Sequence, residues 1–343
     1  MNVEKQNFGQ VEGQNIDQYV LSNKNGITVK VMTYGATITS IQVPDKNGKP
    51  GDIACGFNSI EGYLSEAYLN NAPYFGSTVG RFASRIKDGK FAVEGKEYTL
   101  DVNNGSNHLH GGVDALDKRI WTAEVTSSGV DMSIVSDHMD NGFPGLVNIT
   151  VSFSINNDNE LSIRYKATTD QKTPLSLTNH TYFNLSAFKH TIVGHQATIL
   201  ADQYLVPDET NVPVGDTASV DGDPADLRQG KKMNDALTAL ETGFEHYYVF
   251  DEQTSLRKVA AFSEEESGRS MQVYTTEPGM LFYSGYFTSD ELKRESGEQF
   301  GRFRAFCCET HRYPNGPNIE GAPRVWTTPD VPYESRTVFK FDF

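Results

Sequence analysis

Five short stretches of the 343-residue chain set titratable or charged side chains among Gly, Asn and aromatic residues. They are "SNHLHGG" with His108 and His110, "LTNHTYFNL" with His180, "GFEHYY" with Glu245 and His246, "FCCETHRYPNGPN" with Glu309 and His311, and "GRFASRIKDG" with Arg81 and Arg85. A glutamate with an ordinary pKa of about 4.3 is a competent base at neutral pH, and a histidine near about 6.5 can give or take a proton there. Together these residue types point to acid–base chemistry. Each also has an ordinary structural explanation. His110 could cap a turn before Gly111-Gly112, His180 could be a hydrogen-bonded core residue, Glu245-His246 a surface charge pair, and Arg81 and Arg85 loop salt bridges. Glu309 is the harder one to explain by packing. A strand reading "AFCC" runs directly into it, and a lone carboxylate at the end of a buried strand is costly.

Other chemistries find no support. There is no G-x-S-x-G, no C-x-x-C and no Gly-rich phosphate loop. His108-x-His110 could pair on a metal, but strand alternation would turn the two rings to opposite faces. No metal and no cofactor are expected.

The elements that must hold these groups are strands. In "NITVSFSINNDNELSIRYKA" the residues Ile149, Val151, Phe153 and Ile155 alternate with Thr150, Ser152 and Ser154. After the turn at 156–159 the pattern resumes as Leu161, Ile163 and Tyr165. This predicts an antiparallel hairpin with one dry face. "ITVKVMT" at 27–33 and the terminal "TVFKFDF" alternate likewise. Asn-Gly pairs at 25–26, 47–48, 104–105, 141–142 and 315–316 supply turns. Helical periodicity is confined to 58–71, with Asn58 as N-cap, and 231–243, stopped by Gly243. Residues 206–230, rich in Pro and Gly, read as a loop. With no repeat and no linker, the expected architecture is all-β: one domain spanning 1–343, built as a large antiparallel β-sandwich with a few short helices. "LTNHTYFNL" itself reads as a buried strand carrying an imidazole into the core.

Composition narrows the partners. Net charge is −15, which disfavours nucleic acid and anionic membrane surfaces and is indifferent to neutral ligands. Hydrophobic residues make up 37%, enough for a large core. Cys55, Cys307 and Cys308 are too few for a disulfide framework, so a reducing, cytoplasmic location is expected. The opening "MNVEKQNFGQ" has no apolar segment of the secretory kind. No stretch approaches the roughly 18 apolar residues of a membrane span.

Seven stretches in order, "TVGRFASRIKDGKF", "NHLHGG", "LTNHTYFNL", "LADQYLVPDE", "GFEHYYVF", "EPGMLFYSG" and "FCCETHRYPNGPN", resemble the aldose 1-epimerase (galactose mutarotase) family over nearly the whole chain. The resemblance implies a β-sandwich of the supersandwich type with a sugar in an open cleft. It implies interconversion of the α and β anomers of free aldoses such as glucose and galactose, without a cofactor. By motif, Glu309 would be the general base at the C1 hydroxyl and His180 the general acid at the ring oxygen. His110 would be a hydrogen-bonding partner near that oxygen. Arg85 and Glu245 would bind sugar hydroxyls, and Tyr283 would cover the sugar. The expected partner is a free aldose, and the expected assembly a monomer or weak homodimer. Three positions depart from the family pattern. Glu245-His246 stands where Asp-His is usual, Ser84 where Asn is common, and His311 where Gln is usual. The sugar preference therefore stays open. So do two alternatives: a non-catalytic sugar-binding protein and a hexose-phosphate 1-epimerase on the same scaffold.

Overall fold

The computed structural model describes residues 2–251 and 254–343. Three antiparallel sheets dominate. A five-stranded meander runs Asn2–Val11, Gln14–Ser22, Thr28–Met32, Thr37–Pro44 and Pro50–Asp52. A nine-stranded sheet runs, in spatial order, Thr122–Thr126, Gly129–Ser136, Val147–Ile155, Glu160–Thr169, Tyr333–Asp342, Ser270–Thr275, Arg257–Ser263, Gln196–Ile199 and Lys231–Lys232. A six-stranded sheet runs Tyr182–Phe183, Phe306–His311, Gly279–Tyr283, Glu245–Val249, Gln203–Pro207 and Pro213–Ser219.

Period-2 alternation fixes which face of each strand is dry. The hairpin predicted from 149–165 forms, with Val151 opposite Tyr165 and Phe153 opposite Ile163. Its inward residues join one large core that also takes Val29 and Val31 from the meander and Phe282 and Phe306 from the six-stranded sheet. Aromatic contacts tie the layers. Phe262 of the nine-stranded sheet stacks on Phe306 with centroids 4.4 Å apart, and Phe339 meets Phe183 at 4.9 Å.

Local corrections follow from cap and turn chemistry. Region 58–71 is two short helices, Ile60–Tyr63 and Glu66–Asn71, not one. The first begins after Ser59 rather than Asn58, and the second is capped by Ser65, whose hydroxyl accepts from the Tyr68 N–H. The helix expected at 231–243 runs only from Met233 to Ala239, and it starts late because Lys231–Lys232 pairs into the nine-stranded sheet. The stretch 206–230 is not wholly loop, since it contains the strand Pro213–Ser219. Among the described residues no helix is long and apolar enough to cross a membrane.

The buried strand expected at "LTNHTYFNL" is broken. Thr178–Asn179 pairs with Thr78–Val79, whereas Tyr182–Phe183 pairs with Phe306–Cys307. His180 and Thr181 lie where the chain leaves one partner for the other. The His180 backbone is tied instead to the 76–77 loop, its N–H donating to the Ser77 carbonyl and its carbonyl accepting from the Gly76 N–H.

Candidate active site

The six-stranded sheet has one face on the core and one on a cleft, and the alternation of its strands decides what the cleft receives. Along Phe306–His311, Phe306 and Cys308 belong to the central core, and Cys307 joins a second apolar cluster on the other side. Glu309 therefore faces the cleft beside Cys307. The adjacent cysteines are thus packing residues on opposite faces. Cross-strand pairing aligns Leu281 with Glu309, Tyr283 with Cys307, and Glu245 with Tyr283. These side chains, with Tyr182, form one wall of a cleft of about 300 Å³.

The opposite wall comes from two motifs that pair with each other. Arg85–Ile86 forms a two-residue ladder with His108–Leu109, Leu109 opposite Arg85. The chain then turns sharply at His110, which has φ 53, followed by Gly111 at φ 96. A Cβ at Gly111 would sit 1.9 Å from the Gly80 carbonyl oxygen, so only glycine fits there. Asn103 braces the turn. Its amide donates to the carbonyls of Leu109 and Gly112, at 2.9 and 3.2 Å, and its oxygen accepts the Leu109 N–H at 2.7 Å.

These walls bring the candidate residues together. His180 Nε2 lies 3.4 Å from Glu309 Oε1. The His180 ring is sandwiched between Tyr182, at 5.0 Å and 18°, and Tyr74, at 5.8 Å and 24°. Its Nδ1 lies 3.6 Å from Cys307 Sγ. His110 meets His180 edge-on at 5.3 Å. Arg85 Nη1 donates to Glu245 Oε1 at 2.9 Å, and Arg85 Nε donates to Asn104 Oδ1 at 2.8 Å. Tyr283 lines the cleft, its hydroxyl accepting the Phe287 N–H at 2.7 Å.

Burial sets the protonation states. Glu309 is 1% exposed, and neither carboxylate oxygen has a hydrogen-bond partner. Burial, then the charge of Glu245, push its pKa up to about 8 against the opposing pull of Arg85. Burial pushes His180 down to about 3 and holds His110 well below the usual imidazole range. Between these limits Glu309 and His180 hold one proton between them. The tautomer of His110 is fixed by a backbone donor: the Ser84 N–H points at Nδ1 from 3.2 Å, so Nδ1 is a lone pair and Nε2 carries the hydrogen. The ring is then a donor toward a ligand oxygen.

His110, His180 and Glu309 each offer an atom within 4.8 Å of the others, close enough to suggest a metal triad. The His110 tautomer opposes it, because an Nε2 that bears hydrogen has no lone pair for a cation. The His108–His110 pair considered from spacing does not form a site. His108 is turned against Phe143 and its Nδ1 contacts the Asp101 carbonyl at 2.8 Å.

Several sequence candidates fall elsewhere. Arg81 is buried, and its guanidinium donates to carbonyls of Ser136, Asp137, Pro144 and Gly145, so it clamps a loop. His246 is not paired with Glu245. Alternation turns it to the opposite face, against Tyr204 and Phe244. His311 is buried and packs on Tyr247. Sequence reasoning missed Tyr74, Tyr182, Asn104 and Phe287, all of which line the cleft. Tyr182 had a signal, being two residues from His180 in an alternating pattern. Asn104 was hidden inside a turn dipeptide, and Tyr74 carries no pattern at all. Phe287, 62% exposed in the folded chain, carries no sequence signal either.

Comparison with known proteins identifies the family. The family model described as aldose 1-epimerase matches residues 17–340. Galactose mutarotase of Rattus norvegicus is 40% identical over 317 residues, covering 92% of this chain and 91% of that one. Aldose 1-epimerase of Escherichia coli is 32% identical over 340 residues, covering 96% of each. Among solved structures, an aldose epimerase homologue from C. elegans superimposes with a TM-score of 0.85 at 31% identity, covering 94% of this chain and 98% of that one. The galactose 1-epimerase of Lactobacillus acidophilus does so with 0.85 at 25% identity, covering 99% and 98%. With the match running nearly end to end, this chain belongs to the aldose 1-epimerase family.

Proposed function

We propose that the protein interconverts the α and β anomers of free aldohexoses such as glucose and galactose by general acid–base ring opening and reclosure. The observation that carries this reading is the Glu309–His180 pair at 3.4 Å on the cleft wall. Ring opening removes a proton from the C1 hydroxyl and adds one to the ring oxygen. Glu309 takes the first and His180 gives the second. The aldehyde then turns about C1–C2, and reclosure on its other face reverses both transfers.

The protonation argument fits this cycle. In the empty cleft burial favours two neutral groups, which leaves the shared proton on Glu309. A sugar changes the balance: its C1 hydroxyl donates to the carboxylate and its ring oxygen accepts from the imidazole. Both contacts favour the form with the proton on His180. The two forms differ only in the position of one proton, so the rate follows the population of the singly protonated pair. His110, donating through Nε2, steadies the ring oxygen or a neighbouring hydroxyl. The Arg85–Glu245–Asn104 group holds hydroxyls farther along the ring. Glu245 gives one oxygen to Arg85 and keeps the other for substrate. Tyr283 and Phe287 supply apolar wall.

The two alternatives are weaker. A binding protein has no use for a buried carboxylate opposed to an imidazole. A phosphate ester needs free cations, yet Arg85, the only guanidinium on the described cleft lining, is engaged by Glu245. Polarimetry on freshly dissolved α-glucose and α-galactose tests the proposal. Rotation should relax faster with enzyme than without, with or without a chelator, and Glu309→Gln should abolish most of the difference. Equal relaxation with and without enzyme on both sugars would refute it.

A further inference from the structure

Behind the cleft lies a second, more enclosed cavity of about 360 Å³. It is lined by Tyr34, Tyr63, Tyr68 and Tyr74 together with Leu69, Asp117 and, at its exposed edge, Lys118. Tyr74 and Ala72 are shared with the catalytic cleft, so the segment that stacks on His180 is also the partition between the two spaces. The mechanism above uses none of the rest.

Asp117 is the unusual member. It sits on the short turn Leu116–Lys118, is 9% exposed, and its Oδ1 is buried without a hydrogen-bond partner. The neighbouring cations are otherwise engaged. Arg119 pairs with Asp140 and Asp114, and Lys118 Nζ donates to the Val113 carbonyl at 2.5 Å. Asp117 shares the cavity lining with Tyr34, Tyr63, Tyr68 and Tyr74, so aromatic side chains make up much of the wall it faces. A buried, unpaired carboxylate among aromatic rings is costly as it stands, and the cost falls when a cation arrives.

The lining chooses among cations. A hard metal ion wants about six or more oxygen ligands, which one carboxylate and a few hydroxyls do not provide. A neutral polyol would leave the charge unbalanced. An organic ammonium satisfies every feature at once: N–H donors for Asp117, positive charge for the tyrosine rings, and a carbon body for the apolar walls. We propose that this cavity is a binding site for a small organic ammonium compound, its nitrogen paired with Asp117 and its body enclosed by the tyrosines. The inference does not depend on the sugar chemistry.

Calorimetric titration of the full chain with cyclohexylammonium, and with neutral cyclohexanol as its near-isostere, tests this. Saturable binding of the ammonium and at least tenfold weaker binding of the alcohol are expected. Asp117→Asn keeps the shape and should weaken the ammonium at least tenfold. Leu69→Trp, at a position 52% exposed on the rim, should weaken it by narrowing the entrance even if the Asn variant fails to fold. Mutarotation by either folded variant should stay at the parent rate. Equal affinity for the alcohol, no saturable ammonium binding, displacement by galactose, or an unchanged affinity in Leu69→Trp would each overturn the proposal.

Discussion

Replacing Glu309 by Gln should make the protein less active and, at alkaline pH, more stable. The carboxyl is held at about 8 in the folded chain against an ordinary value of 4.5. Between those pH values the folded state keeps a proton that the unfolded state has lost. Stability therefore falls as pH rises through this window and is lowest above about pH 8. At about 1.4 kcal/mol per pH unit the displacement corresponds to about 5 kcal/mol at most, and water in the open cleft reduces it to about 2–5 kcal/mol. Gln keeps the shape and carries no charge, so it escapes this cost entirely. Urea unfolding of both proteins at pH 5 and pH 8.5 is the assay. The Gln variant should gain little at pH 5 and about 2–5 kcal/mol at pH 8.5, while kcat drops at least about a hundredfold. A stability difference that is the same at both pH values would show that Glu309 titrates normally, and the account of the shared proton would fail with it.

The remaining expectations concern the same cleft. The kcat/KM profile should be flat across neutral pH, with an alkaline limb at about 8 as the shared proton leaves and an acid limb only near about 3 as His180 takes a second. An inflection at about 6.5 would instead mark His180 as an ordinary solvated imidazole. His180→Asn should lower kcat at least about a hundredfold, whereas His110→Asn, which deletes a donor, should change kcat and KM together. A folded His180→Asn enzyme with parent kcat would reduce that ring to packing. Glu is one methylene longer than the Asp usual at position 245, so discrimination between hydroxyl configurations should be loose. Glucose and galactose should give kcat/KM values within about tenfold, or about 1.4 kcal/mol, and Glu245→Ala should raise KM for at least one. No change for either sugar would remove Glu245 from the binding group.

What the sequence made legible was whatever depends on period-2 alternation. The hairpin at 149–165, the dry face of 27–33 and the opposite facing of Cys307 and Cys308 all follow from that rule, and so does Glu309 entering the cleft. What it hid depends on loops meeting across long sequence separations. Arg81 and Arg85 lie four residues apart in one motif, yet one clamps the 136–145 loop and the other reaches Glu245. No local pattern separates them, because the decision is made by the ladder that Arg85 forms with Leu109. Tyr74 is the extreme case. It touches both histidines of the cleft from a loop with no periodicity of its own.

The break in "LTNHTYFNL" explains why that stretch is so polar. A strand that changes partner in mid-course leaves backbone groups without a ladder, and each must be answered inside the protein. The His180 N–H and carbonyl are answered by Ser77 and Gly76, and the two asparagines brace the segments on either side. Asn179 donates to the Gly76 carbonyl at 2.7 Å and accepts from the Thr181 hydroxyl at 2.5 Å, bracing the loop to which His180 is tied. Asn184 donates to the carbonyls of His190 and Arg304, at 2.7 and 2.6 Å, and accepts the Ser186 N–H at 2.9 Å. His180 sits between these braces, with its backbone held by residues 76 and 77 and its ring stacked between Tyr74 and Tyr182. An unbroken strand would give it one sheet as a mount. The break gives it two, and Glu309 arrives from the second. The polar positions on either side of the histidine are therefore structural in a direct sense: they brace the loops that flank the interruption at which a proton donor and a proton acceptor come to 3.4 Å.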